Sequence, residues 1–265
     1  MADQFAGRTD QVAGRTDQVR SLFDAKAPTW PAKYAPGGRL AGRLAQFADA
    51  LAIHVPAGGR VLDVGCGTGN LARAANAADL QVTACDISAE MLGRAAAADP
   101  GRAVEWVHLD PLWLRLPFES ATFDAVVAAS VLEYVGQPGT VLSECARVLR
   151  PGGIVLCTVP DLSHPARWLE WLAGAAARLP VVGAVGHRWP RLDGYLAYLR
   201  ISRQRRPAGW WCAVAARAGL LTVPSMAAPA EHSSLRLFTF QRPRRPGGAG
   251  ASGRLGERAT GRAGG

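Results

Sequence analysis

The sequence has few lysines, few charged residues and no long apolar run. Only two of its 30 basic residues are lysines, and 19% of the chain is charged against 49% hydrophobic. Because a chain this apolar can bury a core, wholesale disorder is excluded. No apolar stretch reaches the roughly 18 residues of a membrane span. We therefore expect a globular protein without a membrane-spanning helix.

The five cysteines are scattered and show no CxxC spacing. An odd number without paired spacing argues against a disulfide framework and against a cysteine-based zinc site. The first residues also lack the basic and then apolar order of a signal peptide. These features predict a cytoplasmic protein without a metal site.

The two ends of the chain differ in composition from its middle. Residues 6–12 (AGRTDQV) recur unchanged at 13–19 with too few apolar side chains for a coiled coil, so residues 1–20 are interpreted as a flexible arm. Residues 241–265 are rich in arginine and glycine and predict a disordered tail. Residues 1–160 are nearly neutral, so the formal charge of +9 lies outside them, and no nucleic-acid partner is expected.

Short apolar segments alternate with helical segments between these ends. Strands are predicted at 60–64, 81–86, 104–109, 123–129, 153–159, 220–223 and 235–240. Helices separate most of them, which predicts a mostly parallel α/β sheet covered on both faces, with an antiparallel last strand. Ligands of such sheets bind at the carboxyl ends of the strands.

The first strand leads into a glycine-rich turn, Asp63-Val64-Gly65-Cys66-Gly67-Thr68-Gly69-Asn70. Its GxGxG spacing differs from the dinucleotide pattern GxGxxG, and an acid stands two residues before the first glycine. A carboxylate at this point repels a phosphate but can hold an ammonium group. The turn therefore favours a cationic ligand over a pyrophosphate.

Two more acids follow the next two strands. Asp86 stands where an acid commonly meets ribose hydroxyls, although it could also cap the helix that begins after Ser88. Asp110 follows the third strand, where it could face an adenine amino group. Asp124 and the turn at 147–153 are interpreted as architectural.

Five segments carry a resemblance to a known family. They are VLDVGCGTGN, CDISAEML, the stretch from Leu109 to Phe118, FDAVVAASVLEYV and RVLRPGGIVLCTVP. In this order and spacing the chain resembles the class I S-adenosylmethionine-dependent methyltransferases of the small-molecule type. The resemblance implies a Rossmann-like seven-stranded sheet in a domain over residues 21–240, with a substrate-cap insertion at about 161–208.

The resemblance also implies roles for individual residues. The cofactor-binding residues it implies are Asp63, Gly65, Cys66, Gly67, Gly69, Asp86, Ile87, Met91, Asp110, Pro111, Ser130 and Tyr34. Phe23, Trp30 and Tyr34 are similar to an amino-terminal lid, and a helix merely docked on the sheet is the alternative. Tyr134 and His164 are the candidate catalytic residues, since histidine suits proton removal and tyrosine suits orientation of an acceptor.

The leading hypothesis is an enzyme that methylates an oxygen of a small metabolite. RNA or protein methylation is an alternative, as is a scaffold that binds the cofactor without turnover. A dehydrogenase remains a further alternative, which tight NAD binding would reveal.

Overall fold

The computed structural model describes residues 2–38, 40–111, 113–160, 162, 165–176, 190–202, 204–224 and 235–244. Its α-helices are α1 (Ala2–Lys26), α2 (Ala41–His54), α3 (Asn70–Ala77), α4 (Ala89–Ala97), α5 (Pro138–Val148), α6 (Pro165–Ala176), α7 (Pro190–Ile201) and α8 (Ala208–Arg217). Its strands are β1 (Arg60–Val64), β2 (Gln81–Asp86), β3 (Glu105–His108), β4 (Phe123–Ala129), β5 (Leu149–Pro160), β6 (Leu221–Val223) and β7 (Leu235–Gln241). Two short 3-10 turns, Ala27–Thr29 and Pro31–Tyr34, connect α1 to α2.

The strands form one sheet in the order β3-β2-β1-β4-β5-β7-β6. Strands β1 to β5 pair in parallel, and β7 pairs antiparallel with both of its neighbours. The predicted fold is therefore confirmed. Because the chain order reverses between β1 and β4, the carboxyl ends of these two strands flank the crevice where such sheets bind ligands.

Alternate residues of the central strands enter two separate hydrophobic cores. Leu62 of β1 packs in a cluster that includes Trp211 of α8, whereas its neighbour Val61 packs in a cluster with Phe47 of α2. Side chains of a strand point alternately to the two faces of a sheet, so this division follows from the period of two. Both faces are therefore buried, and the turns at the strand ends rest on a rigid frame.

Strand β5 begins four residues earlier than the sequence predicts. Leu149 already pairs with Phe123, and the register with β4 then shifts before Ala125 meets Ile154. Gly152 has φ 89° within this stretch, a conformation that glycine adopts without steric cost. The Pro-Gly-Gly turn is thus an irregular start of the strand.

Residues 2–26 form helix α1, whereas a flexible arm is predicted for residues 1–20. Val19 is buried, and Arg15 donates a hydrogen bond to the main-chain oxygen of Tyr134 at 3.2 Å. Thr16, Val19, Phe23 and Lys26 follow helical spacing and line one cavity. The prediction treated residues 13–19 only as a repeat. It did not place Thr16 and Val19 on the face of α1 that lines the cavity.

The predicted tail over 241–265 begins inside the sheet. Gln241 pairs with Ile154 of β5, and the main-chain groups of Arg242 bond to Gly152 and Gly153. The guanidinium of Arg242 also donates to the carbonyl oxygens of Arg147 and Leu149. The remainder of the predicted tail, 245–265, lies outside the described residues.

The predicted insertion over 161–208 contributes α6 and α7, each of 12 residues. Tyr195 and Tyr198 of α7 line the cavity at the strand ends, as does Glu170 of α6. None of the helices that the structure describes is long and apolar enough to cross a bilayer.

Candidate functional site

A cavity of about 620 Å³ opens at the carboxyl ends of β1, β2 and β4. This volume is typical of sites for small molecules. The floor comes from the turns after the strands, and α1, the 3-10 turn Pro31–Tyr34, α2 and α7 form the wall opposite. The cavity therefore lies at the switch point of the sheet and has a helical cover.

The glycine turn after β1 is shaped by neighbours on both sides. Gly65 has φ 68°, and a Cβ at this position would clash with the Val131 side chain. Gly67 has φ 55° and donates its N–H to Asp86 Oδ2 at 2.8 Å. Glycine is required here by conformation and by close packing, and the turn is tied to the end of β2.

Asp63 and Asp86 end neighbouring parallel strands and both line the cavity. Asp86 accepts two main-chain hydrogen bonds, from Gly67 and, at 2.9 Å, from Ser88. Asp63 is 2% exposed, and its Oδ2 has no hydrogen-bond partner among the described residues. Burial and the charge of Asp86 raise the pKa of Asp63 to about 7. A buried carboxylate in this state is a strong site for a cation.

Ser130 at the end of β4 has φ 58°, an uncommon conformation for a residue other than glycine. Its N–H donates to Thr158 Oγ1, and its hydroxyl accepts a bond from Arg43, both at 3.0 Å. Arg43 also donates to the hydroxyl of Tyr34. A guanidinium of α2 and the carboxylate of Asp63 thus line the same cavity as groups of opposite charge.

Aromatic rings of the cover contact one another above the turns. The centroids of Phe23 and Trp30 are 5.4 Å apart, and those of Phe23 and Tyr134 are 5.2 Å apart, both in edge geometry. The Trp30 Nε1 atom is 3.3 Å from where a Cβ of Gly67 would stand. The Lys33 ammonium lies 3.5 Å from the Trp30 centroid. The cover therefore touches both the glycine turn and the loop after β4.

Most of the predicted site residues line the cavity. They are Asp63, Gly65, Cys66, Gly67, Asp86, Ile87, Met91, Pro111, Ser130, Tyr34 and Tyr134. Burial raises the pKa of the Cys66 thiol well above its usual range, so this group stays protonated.

Two predicted residues are described but are not among those that line the cavity. Gly69 precedes α3 as its N-cap residue, and a Cβ there would clash with the ring of Trp106, so this glycine serves packing against β3. Asp110 is exposed and is not a lining residue, although its neighbours Leu109 and Pro111 are. His164 lies outside the described residues. The described residues contain no group of three potential metal ligands.

Several curated proteins similar to this chain are named as methyltransferases. Residues 62–157 match the methyltransferase domain family. A ubiquinone biosynthesis O-methyltransferase of Dechloromonas aromatica is 34% identical over 139 residues, which are 51% of this chain and 58% of that protein. A ubiquinone/menaquinone biosynthesis C-methyltransferase of Desulfotalea psychrophila is 37% identical over 114 residues, 42% of this chain and 45% of that protein. This chain thus spans about half the length of these two relatives.

A third relative is matched over more of its length. An uncharacterized methyltransferase of Mycobacterium tuberculosis is 37% identical over 139 residues, which are 49% of this chain and 68% of that protein. The chain belongs to the class I S-adenosylmethionine-dependent methyltransferases. A solved Haloferax volcanii complex of a putative methyltransferase with the Trm112 activator has the same fold, with a TM-score of 0.61 and 21% identity over 84% of this chain and 98% of that one.

The residues of this methyltransferase fit the methyl donor of its family. S-adenosylmethionine carries an ammonium group, a carboxylate and ribose hydroxyls. The unpartnered oxygen of Asp63 suits the ammonium group, and the guanidinium of Arg43 suits the carboxylate. Asp86 keeps lone pairs for hydroxyl donors beyond its two main-chain bonds.

Sequence reasoning missed Arg43 and Glu133 of this methyltransferase. Arg43 is one of many arginines, and only the packing of α2 over the sheet brings it to Ser130. Glu133 is 2% exposed and lines the cavity beside Tyr134. An acid next to a candidate catalytic residue was a visible signal for Glu133, whereas no local pattern identifies Arg43.

Proposed function

We propose that this chain transfers the methyl group of S-adenosylmethionine to a hydroxyl oxygen of a small, largely apolar acceptor. The observation that carries this proposal is the single cavity with two unlike ends. One end holds Asp63, Asp86 and the glycine turn, and the other holds the rings of Phe23, Tyr134 and Tyr198.

The acid end would bind the methyl donor through four contacts. Asp63 would bind the ammonium group, Arg43 the carboxylate and Asp86 the ribose hydroxyls. Met91 and Ile87 are apolar wall residues beside Asp86 and would pack against the adenine. When bound, S-adenosylmethionine supplies an electrophilic methyl group on a sulfonium sulfur.

The remaining residues would position the acceptor and exclude water. Methyl transfer is an in-line displacement, and alignment of the two reactants alone can lower such a barrier by roughly 7–11 kcal/mol. The contact of Phe23 with both Trp30 and Tyr134 closes the cover over the junction of the two ends. A strong base is then not required for transfer, and the protein's first task is orientation.

The acceptor class rests on the aromatic wall and on the relatives. Tyr134, Tyr195 and Tyr198 form a continuous row of rings, with centroids 6.4 and 6.2 Å apart. Flat rings pack well against such a wall. One relative is named for O-methylation and another for C-methylation, both in quinone biosynthesis. We therefore favour an aromatic acceptor for this chain, with carbon as the second candidate site of transfer.

A labelled-cofactor assay tests the proposal. The purified chain is incubated with isotopically labelled S-adenosylmethionine and a panel of phenols, aromatic amines and activated carbon acids, and products are identified by mass spectrometry. We expect label on hydroxyl oxygen. Cofactor binding with label only on carbon would contradict O-methylation, and binding with no transfer to any acceptor would favour a non-catalytic scaffold.

The variant Asp86→Ala tests the proposed contact with the ribose. Loss of two charge-assisted bonds to ribose should weaken cofactor affinity by about 2 kcal/mol or more, roughly 30-fold, without unfolding. Asp124→Ala serves as the comparison, because Asp124 bonds to Arg60 and Arg150 away from the cavity. Wild-type affinity in Asp86→Ala would overturn the ribose contact.

A further inference from the structure

Glu133 is a buried carboxylate at the acceptor end of the cavity. It is 2% exposed, and its Oε2 accepts a hydrogen bond from the Ser202 hydroxyl at 2.7 Å. Its main-chain oxygen accepts the N–H of Gln204 at 3.3 Å. The segment after α7 therefore holds this residue in place. Burying a carboxylate is costly unless it is well paired, so the burial of Glu133 beside the cavity favours a functional role for this residue.

The hydroxyl of Tyr134, which also lines the cavity, is a hydrogen-bond partner of Glu133. Burial together with the charge of Glu133 raises the pKa of Tyr134 well above its usual value. A phenol in this state is a poor base by itself. While it donates its proton to Glu133, however, its oxygen lone pairs can accept a hydrogen bond from a second hydroxyl.

Other charged and titratable groups face the pair from several elements. They are Lys26 on α1, Arg43 on α2, Glu170 on α6, and Tyr195 and Tyr198 on α7. The charge of Arg43 lowers the pKa of Tyr134 and that of Tyr198 raises it, but burial and Glu133 outweigh both. Glu133 is therefore the acid that is directly bonded to the tyrosine.

We propose that Tyr134 and Glu133 form a proton relay for the acceptor hydroxyl, an inference that rests on the proposed O-methylation. The acceptor oxygen forms its bond to the methyl carbon as the carbon–sulfur bond breaks and leaves its electron pair on sulfur. The acceptor proton moves to the Tyr134 oxygen while the Tyr134 proton moves to the Glu133 carboxylate. Tyr134 is the catalytic residue, and Glu133 acts through it.

Tyrosine NMR tests the pair without turnover. The chain has four tyrosines, so the 13Cζ signal of Tyr134 can be assigned with Tyr134→Phe. Glu133→Gln keeps the side-chain shape but removes the charge. We expect the pKa of Tyr134 to fall in this variant. An unchanged Tyr134 pKa would overturn the relay alone and leave O-methylation standing.

Two acceptor probes test the relay in turnover. Catechol keeps its hydroxyl protons near neutral pH, whereas 4-nitrocatechol is largely ionised there and needs no base. Removing a general base costs about 100-fold or more, so Glu133→Gln should lose this much kcat with catechol and stay within about threefold of wild type with 4-nitrocatechol. Ser202→Ala keeps the charge and should lower both rates by one common, smaller factor.

Two outcomes distinguish a failure of the relay from a failure of the proposed O-methylation. Equal losses with both probes in Glu133→Gln would assign it a structural role and overturn the relay. A wild-type chain that binds S-adenosylmethionine but methylates neither probe would overturn phenol O-methylation and the relay with it, whatever the NMR result.

Discussion

At the scale of single residues, Asp63 combines burial, a second acid nearby and an oxygen without a partner among the described residues. These conditions raise its pKa to about 7, so the carboxylate is partly protonated near neutral pH. A bound ammonium group favours the ionised form, because opposite charges attract strongly in a buried site. Cofactor binding should therefore release a proton.

The resulting prediction concerns pH. Because protonated Asp63 cannot hold an ammonium group, affinity for S-adenosylmethionine should fall as pH drops below about 7, by up to about tenfold per pH unit. Calorimetry in buffers of different ionisation enthalpy measures both the affinity and the released proton. Asp86, whose pKa burial also raises, adds to the slope at lower pH.

Asp63→Asn is the control for this effect. The variant should bind more weakly at pH 8 and lose most of the pH dependence between 6 and 8. A pH profile that matches the wild type would show that the titrating group is not Asp63.

At the scale of elements, α1 is held over the cavity by a few polar contacts. The Ser88 hydroxyl, which caps α4, donates to Asp24 at 2.5 Å, and Arg20 pairs with both Asp17 and Asp24. Ser88 follows Asp86 by two residues, so this contact joins the cover to the proposed ribose site. The docking of α1 and cofactor binding should therefore be coupled.

Asp24→Ala should loosen α1. Loss of a hydrogen bond to a charged group costs about 1.5–3 kcal/mol. This is enough to raise the fraction of molecules in which α1 is undocked roughly tenfold or more. Trypsin cleavage after Arg20 should accelerate accordingly, and bound S-adenosylhomocysteine should slow it.

Asp17→Ala is the matched control, since Asp17 is exposed and pairs with Arg20 of the same helix. We expect near wild-type cleavage for this variant. Equal acceleration in both variants would mean that loss of the Arg20 ion pairs within α1, and not loss of the Ser88 contact, exposes the cleavage site.

At the scale of the whole molecule, the binding cavity joins parts that are distant in sequence. Its wall runs from Thr16 in α1 to Leu235 in β7, across the ends of the central strands. A ligand that fills it contacts the cover and the sheet together and binds only the folded chain. Binding should therefore stabilise the whole fold by mass action.

Thermal unfolding measures this coupling. S-adenosylhomocysteine at 100 times its Kd should add about 2.7 kcal/mol, which raises Tm by roughly 5–10 °C for a domain of this size. Asp86→Ala, compared with its own ligand-free Tm, should show about a third of this shift at the same concentration, because a roughly 30-fold weaker Kd leaves about 0.9 kcal/mol. A full shift in that variant would contradict binding at this cavity.

The sheet, the glycine turn and the two acids that flank it could be predicted from the amino-acid sequence alone. The apolar strands and the Asp63-to-Gly69 pattern are local, and strand ends of a parallel sheet meet at one edge. The alternation of helices with these strands was predicted for the same reason, because apolar periodicity is a local signal as well.

Which side chains reach the cavity from distant parts of the chain depends on long-range packing. Arg43 and Val19 belong to helices whose docking no local pattern encodes, and the packing of Gly69 against the ring of Trp106 joins residues that are 37 positions apart. The repeated heptapeptide has too few apolar residues to predict a docked helix, although Thr16, Val19 and Phe23 follow helical spacing and line the cavity. Long-range packing, and not residue type, assigned these residues their places.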